Sequence, residues 1–261
     1  MEYDLYRNDG SILFSKETEL VTGYDTQTIV AAGYVKGFKQ LNSSHVVIVD
    51  NQHHCIRLLN RETKSNRVIA GKCGFSGSRD GTSSLFDGPW GIEVNEKQSG
   101  QLLITEHDNH ALRSVDIASG TVGTVIRTGF NRPKGLAWYN GRLLVCNEYY
   151  VSEVIWDSNG AVINNQLTAT TTSGIKYGDF STAQFYTLYD IQQWKDGFFL
   201  VAENGRLRLL NMFTRKVLPV CVDTTSCTSS TSFSYGAYSV LVNKEAVYVG
   251  GSRDIQKLRG Q

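Results

Sequence analysis

Short apolar runs of strand length, separated by polar turns, recur along the whole chain, and almost no stretch sustains the period of an amphipathic helix. The pattern predicts a nearly all-β protein. A repeat emerges when segments are stacked: Tyr3 to Gly10 before Ser11 to Phe14, Tyr189 to Gly197 before Phe198 to Val201, and Gly135 to Gly141 before Arg142 to Val145. Each reads strand, Asp-Gly or Asn-Gly turn, strand, and Asn140-Gly141 is suited to the positive φ angles of a tight hairpin.

Each unit continues into a third strand, such as His54 to Leu59, Ala111 to Asp116 or Arg206 to Asn211, and a fourth, such as Arg67 to Ala70, Val122 to Arg127 or Lys216 to Cys221. Such a meander, repeated at about 40 residues, is the pattern of a β-propeller. Units near 2–33, 34–73, 88–128, 132–168, 187–221 and 237–260 predict an all-β, six-bladed propeller of four-stranded antiparallel blades, one domain over residues 1–261. The last unit has strands at Tyr238 to Asn243, Ala246 to Gly250 and Asp254 to Leu258 and then stops, so it is expected to lack its outer strand. The alternatives are missing residues, a three-stranded blade, or a leading strand of the first unit that closes the ring. An open edge would also let a partner add a strand.

Val46 to Arg57 and Leu102 to Arg113 both run apolar strand, acid, short polar turn, then Ile/Leu-Arg; Pro89-Trp90-Gly91-Ile92 and Pro133-Lys134-Gly135-Leu136 open the units. Over about residues 34–140 this resembles the NHL-repeat propellers, whose long connections between blades are similar to Ala70 to Phe86 here. The resemblance implies a propeller that works as an interaction module. It also brings up two other kinds of NHL-like protein, amidating lyases that hold zinc with histidines in the central cavity and propellers that hold single-stranded RNA.

With 41% hydrophobic and 20% charged residues, the composition is that of an ordinary soluble globular protein. No window reaches the roughly 18 apolar residues of a spanning helix, so membrane insertion is not expected. Balanced charge, 26 Lys+Arg against 25 Asp+Glu, argues against nucleic acid as a partner. The acidic, aromatic start Met1 to Leu5 does not read as a secretory signal. The cysteines nevertheless suggest an oxidising compartment: Cys55 and Cys73 fall nearly opposite across paired strands, Cys221 and Cys227 would close a small loop, and Cys146 sits in an apolar run as a buried thiol. The sequon at Asn42 lies on a predicted turn open to glycosylation. An extracellular or cell-surface location is expected, with a reduced cytoplasmic protein as the alternative.

Four of the five histidines lie in equivalent repeat turns, a consequence of the repeat rather than a metal centre, and the strands expected to line the cavity carry none. Asp50 and Glu106, with Arg57 and Arg113, recur blade by blade and are expected to be structural. No G-x-S-x-G motif is present, and the aligned blade openings Asp4, Gly37, Gly91, Gly135, Asp190 and Ser239 make a poor calcium cage. No cofactor, metal or catalytic residue is therefore assigned.

The preceding position holds Tyr3, Lys36, Trp90, Lys134, Tyr189 and Tyr238. Aromatics with lysines there suit a sugar, a peptide or an anionic group. The connections 71–88, 168–187 and 222–237 and the turns bearing His53, Asp108, Tyr149, Tyr150 and Arg253 are expected on the same side. These residues define a candidate site for a protein or glycan ligand of a binding module, one domain of a larger chain in one version. The other readings are a lyase- or hydrolase-like enzyme with an axial site and a single-stranded RNA-binding domain.

Overall fold

The computed structural model describes residues 12–17, 34–160, 162–168, 172–222, 230, 232–233, 237–243, 246–251 and 255–260. Among them every regular element is a β-strand, and no helix is long and apolar enough to cross a membrane. The first strand is β1 (Ile12–Glu17). Three antiparallel sheets follow, each meandering from an inner to an outer strand. They comprise β2 (Val35–Gln40), β3 (His45–Asp50), β4 (Cys55–Asn60) and β5 (Asn66–Ala70); β6 (Pro89–Val94), β7 (Gln101–Glu106), β8 (Ala111–Asp116) and β9 (Val122–Ile126); and β10 (Leu136–Tyr139), β11 (Arg142–Cys146), β12 (Val151–Trp156) and β13 (Val162–Gln166). After the short β14 (Gly178–Asp179), a fourth sheet holds β15 (Leu188–Lys195), β16 (Phe198–Glu203), β17 (Arg206–Asn211) and β18 (Lys216–Val222). Finally come β19 (Ser239–Val242), β20 (Val247–Gly250) and β21 (Ile255–Gly260).

The last sheet does not lack its outer strand. β1 pairs antiparallel with β21, Ser15 opposite Arg259, and completes the order β19-β20-β21-β1. It also runs parallel to the end of β18, Leu13 opposite Cys221, beyond the part of β18 paired with β17. The described residues thus form five four-stranded blades, not six. The periodicity placed an extra blade at 2–33 because one strand and a turn look alike wherever they occur; pairing shows that Ile12–Glu17 belongs to the last blade. The rest of that segment lies outside the described residues.

The chain divides into two compact units, one of Met1–Tyr24, Glu148–Val151 and Gln166–Gln261, the other of Asp25–Asn147 and Ser152–Asn165. In four of the five blades the second strand is deeply buried: Val47 to Asp50, Leu102 to Glu106, Leu143 to Cys146 and Phe199 to Glu203 are covered on both faces. This explains why these strands read as continuous apolar runs rather than as an alternation. One core of the second unit packs Val47, Val49 and Ile56 with Ile92, Leu102 and Ile104, and another packs Leu103 and Leu112 with Leu136 and Val145. The first unit gathers Leu200, Leu207 and Leu209 with Val240, Val247 and Leu258.

Neighbouring inner strands in the second unit approach too closely for side chains. A Cβ on Gly37 would lie 2.6 Å from the Trp90 carbonyl, and one on Gly91 would collide with the Lys134 carbonyl. Gly37 and Gly91, which make a poor calcium cage, are spacers between blades. Gly91→Ala should therefore lower unfolding free energy by about 1–3 kcal/mol. Gly123→Ala, whose Cβ meets only the Ser114 hydroxyl at 3.1 Å, should cost less, as denaturant midpoints of both variants would show.

Candidate ligand-binding site

The aligned position before those glycines is built by irregular pairing. Register shifts fall between Val35 and Gly37, between Pro89 and Ile92, and between Leu188 and Asp190, so Lys36, Trp90 and Tyr189 all sit at bulges of inner strands. A bulge takes a residue out of the ladder and re-aims its side chain. Beside Trp90, the Thr105 hydroxyl accepts from the Gly91 amide, in the bulge, at 2.7 Å and donates to the Lys134 carbonyl at the next blade opening at 2.6 Å. At the equivalent place in the other unit the Asp190 carboxylate accepts from Ile191 at 2.9 Å and from Val240 at 3.0 Å, which ties β15 to β19.

The side chains fall into two clusters. In the second unit Trp90 is half-buried, with the Lys36 ammonium 4.4 Å and the Lys134 ammonium 5.5 Å from its ring centre. The imidazole of His107 stacks on the same indole at 5.2 Å and holds Asp108 through Nδ1 at 2.8 Å. Lys134 is almost wholly buried, whereas Asp108 is exposed. In the first unit Tyr189 and Tyr238 meet edge to face at 4.9 Å. Burial foremost, then Tyr238 and Glu148, pushes the Tyr189 phenol up. Tyr149 and Tyr150 are half-buried, and burial pushes the Tyr150 phenol up. Tyr3 and Arg253 lie outside the described residues. His53 is not aimed at either cluster: its Nδ1 bonds the buried Asp50 at 3.0 Å.

His107 was missed as a ligand-site residue because, read along the chain, it is one of four similar turn histidines. Its neighbours do other work. His54 and His110 adopt positive φ, and their Nδ1 atoms accept the backbone amides of Gly88 and Arg132, each at 3.2 Å. They fasten a turn to the entrance of the next blade. Among the described residues no group of histidine, cysteine or carboxylate side chains could hold a metal.

The recurrent acids and arginines are structural. Glu106 pairs with Arg113, and Glu203 with Arg208 at 3.1 Å, all four fully buried. The same carboxylates accept the amides of Asp87 and Tyr186, three residues before Trp90 and Tyr189. Arg113 reaches back to the Arg79 carbonyl and Asp80, and Arg208 to the carbonyls of Lys176 and Gln184. Burial pushes the Asp80 carboxyl up, but the Thr124 hydroxyl, Arg113 and the Thr124 amide outweigh it and hold the group below its usual range. The long connections are thus pinned from beneath. In the first blade Asp50 takes Arg57 at 2.8 Å, and Arg57 approaches Cys73 Sγ at 3.6 Å.

The Cys55–Cys73 disulfide is formed and Cys146 is a buried free thiol. Cys221 is also disulfide-bonded, while Cys227, its expected partner, lies outside the described residues. Asn42 is exposed on the turn between β2 and β3. A separate cavity of about 600 Å³ in the first unit is lined by Gln166, Thr168, Asp179, Ser181, Thr214 and Arg215, and includes none of the expected site residues.

No family model and no curated protein matches the chain. Among solved structures it is similar to an auxiliary nutrient binding protein from Bacteroides ovatus, with a TM-score of 0.69 and 13% identity over 89% of this chain. The chain has a β-propeller fold. It spans 60% of the length of that Bacteroides protein. It is also similar to a virginiamycin B lyase from Staphylococcus aureus, at TM-score 0.56 and 13% identity over 86% of this chain and 66% of that one. A putative gluconolactonase gives TM-score 0.58 and 11% identity over 83% of this chain and 71% of that one. At such identities the likeness establishes the fold alone.

Two outcomes follow from the buried groups. Arg208→Met should cost about 3–5 kcal/mol of stability by stranding the Glu203 carboxylate, and adding Glu203→Gln should recover part of it. For His107, burial foremost lowers the imidazole pKa; Asp108 opposes, while Lys134 and Arg132 reinforce the lowering. The folded chain then binds this proton less readily than the unfolded one, so the contribution is present above about pH 6.5 and is lost as pH falls below it. Thermal melts from pH 7.5 to 5.5 should show a steeper loss in wild type than in His107→Gln.

Proposed function

We propose that this chain is a non-catalytic binding module. In this reading it is a single NHL-like propeller domain that acts outside the cell or at its surface and holds a protein or glycan ligand beside the long connections between blades. The observation that carries the reading is the half-buried Trp90 indole with the ammoniums of Lys36 and Lys134 near its ring and His107 stacked on it. Such an arrangement offers apolar surface, positive charge and hydrogen bonds within one side-chain layer, as small-ligand and glycan sites do.

The fate of the carboxylates also supports binding over catalysis. Asp50, Glu106 and Glu203 are buried against arginines, and Asp190 is used by backbone amides. A general acid or base must instead be within reach of a substrate proton. The disulfide favours an oxidising compartment. One similar structure is called a nutrient binding protein; the lyase and the putative lactonase share the fold, and fold does not carry activity.

Trp90→Ala separates site from scaffold. In a screen of glycans and extracellular proteins it should weaken the captured ligand by about tenfold or more while the melting temperature falls little. Trp138→Ala should do the reverse, losing about 2–4 kcal/mol of stability, because Trp138 donates its indole N–H to the Val94 carbonyl at 2.7 Å and packs on Trp156. A ligand bound equally well by folded Trp90→Ala removes this site from the reading.

A further inference from the structure

We infer that the cavity of about 600 Å³ in the first unit is a binding site in its own right, separate from the Trp90 cluster, and that it takes a neutral oligosaccharide. Hydrogen bonds fix its walls. On one side the amides of Leu167 and Thr168 donate to the Val151 carbonyl at 2.9 and 3.1 Å, and the Val151 amide donates to the Thr168 hydroxyl at 3.0 Å. On the other, β14 pairs with β18, Asp179 opposite Lys216, and the Phe180 amide donates to the Arg215 carbonyl at 2.8 Å. The end of β13, the turn after β14 and the turn between β17 and β18 are thus gathered around one space before any ligand arrives, which limits the entropy lost on binding.

The lining is polar where it is accessible. Gln166, Asp179, Ser181, Thr214 and Arg215 are exposed, whereas Leu167 and Phe180 are buried and leave an apolar ligand little surface to cover. Among the described residues neither the Asp179 carboxylate nor the Arg215 guanidinium forms an ion pair or a side-chain hydrogen bond, and the guanidinium lies 5.4 Å from the centre of the Phe180 ring. The Gln166 Nε2 donates to the Thr168 carbonyl at 2.9 Å, which keeps its Oε1 to accept. One carboxylate and one guanidinium cancel, so a ligand with net charge meets a like charge as well as an opposite one. A hydroxyl donates to a carboxylate and accepts from a guanidinium; neighbouring hydroxyls of a sugar therefore satisfy both, and others suit Gln166, Ser181 and Thr214. An amino-acid zwitterion would match the two charges but leave those neutral groups without partners. The volume falls among sites for drug-sized ligands, about 300–1,000 Å³, a scale that an oligosaccharide fits better than a single amino acid.

The test titrates maltose, cellobiose and lactose into the full chain, with glycine and citrate as comparators, and follows the backbone amides of Ser181, Thr214 and Arg215 by NMR. At least one disaccharide should shift these amides saturably and bind about tenfold or more tighter than glycine or citrate. Asp179→Ala and Arg215→Gln, both at exposed positions, should each weaken that sugar about tenfold with the melting temperature unchanged, while Trp90→Ala leaves its affinity as it was. Glycine bound as tightly as the sugar would overturn the oligosaccharide in favour of a zwitterion, and preferred citrate would overturn it in favour of an anion. A sugar that ignores either cavity variant, or that is lost in folded Trp90→Ala, would remove the cavity from the inference. If no disaccharide moves these amides, the inference fails; the binding-module reading fails separately, when the ligand captured in the screen ignores Trp90→Ala.

Discussion

A guanidinium and a carboxylate that are both shut away from water set the terms for this fold. Removing such charges from solvent costs several kcal/mol each, so the pair relies on further hydrogen bonds along its remaining directions, although Nε of Arg113 and of Arg208 is left without a partner. Here those directions are spent on the backbone of the long connections. Glu106 and Glu203 hold the amides of Asp87 and Tyr186, while Arg113 and Arg208 hold carbonyls of the loops before β6 and β15. The chain reaches Trp90 and Tyr189 from fixed points.

The third blade provides the control. Its entrance, from β9 to β10, is short, and there Asn147 replaces the acid while Ser152 takes the place of the arginine. Asn147 Oδ1 still accepts the entering amide, that of Asn131, at 2.9 Å. With no long loop to pin, a neutral pair suffices and the desolvation of two charges is avoided. Charge is buried where a loop needs holding, not as a uniform feature of the repeat.

The inner strands translate this framework into surface chemistry. Bulges lift Lys36, Trp90 and Tyr189 out of the ladder, and spacer glycines bring neighbouring backbones close in the second unit. The same structural position then carries different electrostatics: lysines around an indole in one unit, tyrosines near the buried Glu148 in the other. Repetition supplies the geometry, and single residues at one position supply the specificity.

Much of this was legible in the order of residues. Strand-length apolar runs, Asn-Gly and Asp-Gly turns and a period of about 40 residues define four-stranded blades, because each of these signals is local. The alignment of blade openings placed Lys36, Trp90 and Lys134 at equivalent positions, and Cys55 and Cys73 followed from strand pairing. Partnership across the chain was not legible. Whether Ile12–Glu17 begins a blade or ends one depends on which edge it meets, and its own residues are equally suited to both. His107 shares a turn with His110, and nothing local marks it out as a ring partner, yet it stacks on Trp90 while His54 and His110 accept backbone amides. Local sequence determined the strands and turns, since these need only near neighbours; tertiary structure alone decided which edges, charges and rings would meet, since those contacts join residues far apart in the chain.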